Sequence, residues 1–180
     1  MSVMKSKHIL AAAAALSVTL LGSGIALAQD GASALKGHDS KAPIDLSADR
    51  AEAQDRADRA IFAGNVIVKQ GELTLRTARL TLAYANTNGI DINRIDASGG
   101  VTVTSPSETA KGDFAVYDLN EGLITMVGNV RLERAGSFLS GGRLTIDLDT
   151  GRAVMDGGLR GVNQAGGRVT GRFTVPKRQN

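Results

Sequence analysis

One short motif recurs four times along this chain and restricts its fold more than any other feature. It reads Gly-(Asn or Gly)-(Val or Leu) and occurs at Gly64-Asn65-Val66, Gly99-Gly100-Val101, Gly128-Asn129-Val130 and Gly157-Gly158-Leu159, at spacings of 35, 29 and 29 residues. Recurrence at a near-fixed period indicates one supersecondary unit stacked on itself. The flanks recur as well. Two and four residues before each first glycine stand Phe62 and Ala60, Ala97 and Ile95, Met126 and Ile124, Met155 and Ala153. Two and four residues after it stand Val66 and Val68, Val101 and Val103, Val130 and Leu132, while the fourth copy keeps Leu159 alone. A period of two puts these side chains on one face of a strand. The other face carries Asn65, Lys69, Thr102, Thr104, Arg131 and Glu133, with Ile67 as an exception. Glycine inside a strand marks a bulge or bend, so each pair is expected to turn its strand round a corner.

A second strand follows each of the first three copies: Leu80, Leu82 and Tyr84, then Phe114 and Val116, then Leu144, Ile146 and Leu148. Turn residues separate the strands at Asn88-Gly89, Asn120-Glu121-Gly122, Asp149-Thr150-Gly151 and Asp156-Gly157. An early strand is expected at Ile44 and Leu46, and a last alternation at Val169, Phe173 and Val175, ended by Pro176. Ser47 to Arg59 has two readings. Its Ala, Arg and acids favour helix, but it lacks an apolar stripe, and a strand pair turning near Asp55-Arg56 keeps the repeat. The expected architecture is all-β: a twisted, partly open antiparallel β-jelly roll of V-shaped strands, with one apolar inner face running through the stack.

The ends differ from this block. Lys5 and Lys7, the apolar run Ile9 to Leu21, the Gly22-Ser23-Gly24 break and Ala26-Leu27-Ala28 compose a secretory signal peptide over residues 1–28, with a mature start near Gln29. An uncleaved anchor is the alternative, because Ile9 to Ala28 is long enough to span a bilayer. Residues 29–42 read as a flexible leader, 43–176 as the β domain and 177–180 as a short basic tail. Cleavage removes two lysines, so the 21 basic and 18 acidic residues of the 180-residue chain fall to 19 against 18. The formal +3 then belongs to the precursor.

Composition excludes several chemistries. There is no Cys, hence no disulfide scaffold, thiolate metal site or Cys nucleophile. Of the two histidines, His8 lies in the signal and His38 in the leader, too few for a His-based triad or a His-ligated zinc. Six aromatics are too few for a base-stacking surface, so no nucleic-acid partner is expected. Asp147 and Asp149 share a strand face, as a glycosidase pair or part of a Ca²⁺ loop would require, but the turn at Thr150-Gly151 explains them. No cofactor, metal or enzymatic activity is expected. The inward aliphatic residues read as a core; parity alone does not separate a filled jelly roll from a lined groove.

A family resemblance bears on that choice. Pro43-Ile44-Asp45-Leu46-Ser47-Ala48-Asp49, Phe62-Ala63-Gly64-Asn65-Val66-Ile67-Val68 and Ala78-Arg79-Leu80-Thr81-Leu82 resemble the LptA/OstA-like family of periplasmic lipopolysaccharide-transport proteins. So do Gly112-Asp113-Phe114-Ala115-Val116-Tyr117, Val127-Gly128-Asn129-Val130 and Leu139-Ser140-Gly141-Gly142-Arg143-Leu144, and the close from Arg168-Val169-Thr170 to Val175-Pro176. The resemblance implies a soluble carrier that holds the acyl chains of lipopolysaccharide (lipid A) in an apolar groove. It would pass the lipid from an LptC-like inner-membrane protein to an LptD-like outer-membrane protein, with edge-to-edge stacking into a head-to-tail homo-oligomer. It also implies that Ile44 and Leu46 meet acyl chains. Parity extends the lining to Phe62, Val66, Val68, Leu80, Leu82, Val101, Val103, Phe114, Val116, Met126, Val130, Leu132, Leu144 and Ile146. Each buried methylene is worth about 0.8 kcal/mol, so partial shielding of a chain suffices. An LptC-like membrane-anchored partner of the same fold is the alternative, and a β-stack that binds or cleaves polysaccharide a further one. Arg160, Arg168, Arg172, Lys177 and Arg178 follow Gly157 with no acid, whereas Asp45 to Arg59 holds five acids and three bases. Arg168 and Arg172 are therefore candidate self-association residues; a solvated tail is the other reading.

Overall fold

A computed structural model of the chain describes Leu35 and residues 38–86, 89–158 and 167–175. Among these residues the regular structure is ten strands and a single 3₁₀ turn. In chain order the strands are β1 (Ile44–Ser47), β2 (Arg50–Gln54), β3 (Arg59–Gln70), β4 (Leu73–Asn86), β5 (Ile90–Thr104), β6 (Glu108–Asp118), β7 (Leu123–Arg134), β8 (Ser137–Asp147), β9 (Ala153–Asp156) and β10 (Thr170–Arg172). All pair antiparallel in one open sheet, in the order β1-β3-β4-β5-β6-β7-β8-β10. At one edge β1 and β2 pair with opposite halves of β3. At the other, β9 and β10 pair with opposite halves of β8. Ser47 to Arg59 is strand, with its reversal at the 3₁₀ turn Asp55–Ala57, closed by Asp58 at φ 46°. Ladder pairing with β3 prevails over helical composition because a helix here would have no apolar stripe to bury.

The glycine motifs form one row of corners across the sheet. In β3 the step from Ala63 to Val66 faces the shorter step from Arg79 to Thr77 in β4. The step from Ser98 to Val101 in β5, and that from Val127 to Val130 in β7, face equally short steps on their neighbours. Each of these strands thus carries one extra residue, a β-bulge, at its Gly-Asn or Gly-Gly pair. Both residues of these three pairs have positive φ, 79° and 44° at Gly64-Asn65, 85° and 85° at Gly99-Gly100, 83° and 48° at Gly128-Asn129; the fourth pair, Gly157-Gly158, follows the end of β9 and only Gly158 has positive φ. Glycine and asparagine tolerate this left-handed region best.

The bulge decides which residues face inward. On β3, Phe62 and Val66 face in, four residues apart. On β4, Thr77 and Leu80 are the inward partners, three apart. An even step therefore faces an odd one, and β4, β6 and β8 reverse their alternation at the corner. On β6 the inward residues beyond the corner are Ala115 and Tyr117, paired with the buried Met126 and Ile124 of β7.

The corners fold the sheet upon itself. Tyr117 shares a row with Ile95, Leu82 and Ala60, whereas Gln70 lies ten residues farther along β3. Those two positions would be about 30 Å apart on a flat sheet. Instead the Tyr117 hydroxyl donates to Gln70 Oε1 at 3.1 Å. The two limbs of each strand face one another, and the apolar cluster lies between them.

Candidate functional site

The inner faces of the two limbs enclose an aliphatic core. Val66, Val68, Leu80, Leu82, Val101, Val103, Met126, Val130, Leu144 and Ile146 are buried in it, and Ile44, Leu46, Phe62 and Leu132 pack against it half-buried. Fourteen of the sixteen expected lining residues are thus brought together. Phe114 and Val116 are not. Phe114 is 56% exposed and pairs with the exposed Val127 on the outer surface, while Val116 shares an outward row with Asp96 and Thr125. The alternation reverses at Gly112-Asp113, which places their neighbours Ala115 and Tyr117 inside.

Parity also missed inward residues that precede a corner on the even strands. Leu73, Leu75 and Ala110 are buried, as are the polar Thr77 and Glu108, and at the far end of β3 so is Gln70. The signal was present in β4, where Leu73-Leu75 and Leu80-Leu82 lie on opposite parities of one strand.

Accessibility varies along the core. In its middle, Leu80, Met126 and Leu144 have 0% exposure, so the limbs are closed upon each other there. Toward the edges the apolar surface opens, at Ile44, Leu46 and Phe62 beside β1 and β2, and at Ala153 and Met155 on β9. Aliphatic side chains and two thioethers, Met126 and Met155, dominate this surface, which can hold flexible chains without demanding one shape.

The remaining titratable groups serve the scaffold. Asp147 accepts a hydrogen bond from the Thr150 N–H at 2.9 Å, and this bond holds its carboxyl below the usual range. Asp118 acts likewise in the preceding repeat, accepting from the N–H groups of Asn120 and Glu121. Burial pushes the Tyr117 hydroxyl above its ordinary value. Among the described residues no cluster of His, Asp and Glu has a metal-binding arrangement. Arg168 and Arg172 are exposed, the latter on β10 at the C-terminal edge. The signal region, Arg160 and the tail lie outside the described residues.

Comparison with known proteins agrees with this geometry. The family described as LptA/(LptD N-terminal domain) LPS transport protein matches residues 45–152, from β1 to the turn after β8. The chain belongs to this family. An uncharacterised protein of Rhizobium meliloti (strain 1021) is 33% identical over 169 residues, 87% of either chain. The LPS-assembly protein LptD of Yersinia enterocolitica is 34% identical over 86 residues, which make up 47% of this chain and 11% of LptD. The crystal structure of LptH, the LptA-homologous periplasmic component of the lipopolysaccharide transport device of Pseudomonas aeruginosa, superposes with a TM-score of 0.66. It is 19% identical and the match covers 77% of this chain and 99% of LptH, a likeness of fold. This member of the LptA/LptD N-terminal family has the open all-β jelly roll that its repeats predict.

Proposed function

We propose that this chain is a periplasmic lipopolysaccharide carrier, taking the acyl chains of lipid A into its apolar core between an LptC-like inner-membrane protein and an LptD-like outer-membrane protein. The observation that carries this reading is the aliphatic core between the limbs, closed in its middle and half-exposed at the β1–β2 and β9 edges, in a chain of the LPS-transport family. Acyl chains enter where Ile44, Leu46 and Phe62 are half-exposed and replace limb-to-limb contacts with lipid contacts of similar apolarity. The exchange leaves little net gain, which suits a cargo that must depart. The carrier's work is shielding.

The test is site-specific photo-crosslinking in cells. Probes at Ile44, Leu46 and Val68 should yield lipopolysaccharide adducts, and probes at the outward Lys69 and Thr102 should not. Equal adducts at both sets, or none at the first, would sink the reading. Sequencing the N-terminus in the same cells decides between a mature start near Gln29 and an LptC-like anchored protein with an intact N-terminus.

A further inference from the structure

Before β1, the leader reaches the apolar core at Leu35. Leu35 is only 4% exposed and belongs to the same apolar cluster as the residues between the limbs. Its N–H donates to the buried carboxylate of Glu108, at the start of β6. Three residues on, the His38 ring Nε2 lies 3.1 Å from Gln70 Oε1. Gln70 Nε2 donates to the carbonyls of Ser40 and Ala42 at 2.8 and 3.1 Å. These partners sit in one place. Gln70 ends β3, Leu73 begins β4, Ser105 to Ser107 join β5 to β6, and Glu108 begins β6. Leu35, His38, Leu73 and Ser107 line one small cavity there. Leu35 and residues 38–42 therefore lie at the free ends of one limb, four strands wide, at the point where Tyr117 of the other limb reaches Gln70.

Two features give this contact the character of an occupied, exchangeable site. The rim's polar side chains read main-chain groups, one N–H and two carbonyls, as sites for extended peptides do. And His38 Nδ1 is buried with no hydrogen-bond partner, a desolvation cost that docking carries and release relieves. We propose that the leader, through Leu35 and His38 to Ala42, is an in-cis stopper on the mouth of the core that competes with the acyl chains of the cargo. This rests on the carrier reading above. With the stopper seated, the core is closed on one side; with it displaced, Leu73 and the buried ends of Gln70 and Glu108 become part of the entrance. Seating lowers apparent cargo affinity by the fraction of molecules in which the mouth is free.

The chain has no native Cys, so a unique tether can be installed on the full mature protein. Asp39→Cys and Glu72→Cys, joined by a short bis-maleimide, hold the leader on the rim; the control is the same variant capped with N-ethylmaleimide. Binding of BODIPY-labelled lipopolysaccharide is read by fluorescence anisotropy. The tethered form should bind about tenfold more weakly than the control, and Leu35→Asp about tenfold more tightly than wild type, the scale set by burying one leucine. Gln70→Leu provides a second release variant, with faster amide exchange across residues 38–42. Measurable binding unchanged by tether and release variants overturns this proposal alone. Failure of every form to bind overturns the carrier reading, and the competition with it.

Discussion

At the scale of single residues, the corners depend on a pair of side chains repeated at a fixed distance. Asn65 Nδ2 donates to Asp49 Oδ2 at 2.8 Å, and Asn129 Nδ2 donates to Asp113 Oδ2 at 2.8 Å, each across sixteen positions. A Cβ on Gly64 would fall on the Asp49 carboxylate, and one on Gly128 on that of Asp113. The bond and the left-handed backbone are separable by substitution. Asn129→Gly keeps the φ and loses the bond, costing about 0.5–1 kcal/mol at this exposed site. Asn129→Ala loses both and costs about 2 kcal/mol. Gly128→Ala adds a collision and should be worse than either. Thermal melts should rank the variants in that order, at about 2–4 °C per kcal/mol for a domain of this size. A melt in which Asn129→Ala is no worse than Asn129→Gly would contradict the account. The asparagines and glycines were legible as corners; their aspartate partners were not, because Asp49 lies in the link between β1 and β2 and Asp113 on the neighbouring β6, and no local pattern marks them.

At the scale of strands, the sequence was most legible where the bulge lies within the strand being read. On β3, β5 and β7 the extra residue keeps apolar positions at even spacing through the corner, so simple alternation identifies Phe62, Val66, Ile95, Val101, Met126 and Val130. On β4, β6 and β8 the alternation reverses at a position with no extra residue. Hydrophobicity still marks Leu80, Leu82, Leu144 and Ile146, but in β6 it selects Phe114 and Val116, on the wrong side of the reversal. The inward residues there are an alanine and a tyrosine, which carry less signal. Phe114→Thr and Val116→Thr should accordingly change stability by about 0.5 kcal/mol or less, whereas Met126→Ala should cost about 2–5 kcal/mol through its cavity. Denaturant midpoints at constant m-value measure both. A large loss at Phe114 would mean that its face is covered in solution. The leader contacts were not legible at all, because Leu35 is a single apolar residue in a polar stretch and its partners are buried polar groups up to 73 positions away.

At the scale of the molecule, the sheet ends in two unlike edges. Asp45, Asp49 and Glu52 lie along the β1–β2 edge, and Arg172 lies on β10 at the other. Each edge also carries the other sign, Arg50 on β2 ion-paired with Glu52 and Asp156 on β9; open edges with uneven charge favour head-to-tail pairing. Arg168→Glu with Arg172→Glu should weaken self-association and flatten its salt dependence, as followed by sedimentation at two ionic strengths; an unchanged profile would assign those arginines to solvent alone. The antiparallel, partly open stack was legible in the repeat; the edges, where β1 and β2 share β3 and β9 and β10 share β8, were not, because they fall outside the repeated hairpins.

The corner row also sets rules for how such a chain can gain or lose length. From each corner glycine to the end of the following limb the offset is constant: Ala83 stands nineteen positions after Gly64, Asp118 nineteen after Gly99 and Asp147 nineteen after Gly128. Ala83 and Asp118 stand in one row across the sheet, through Arg94. Ten residues lie between Ala83 and its partner Arg94, against four between Asp118 and its partner Leu123. The six additional residues that stretch the first spacing from 29 to 35 are thus confined to the hairpin tip. Tips accept additions because strand pairs beyond the last row disturb no register behind them. A single deletion at Gly64-Asn65 would remove the bulge and invert half a strand, exchanging its oily and wet sides. In evolutionary bookkeeping, this fold can be edited freely at its fingertips and hardly at all at its knuckles.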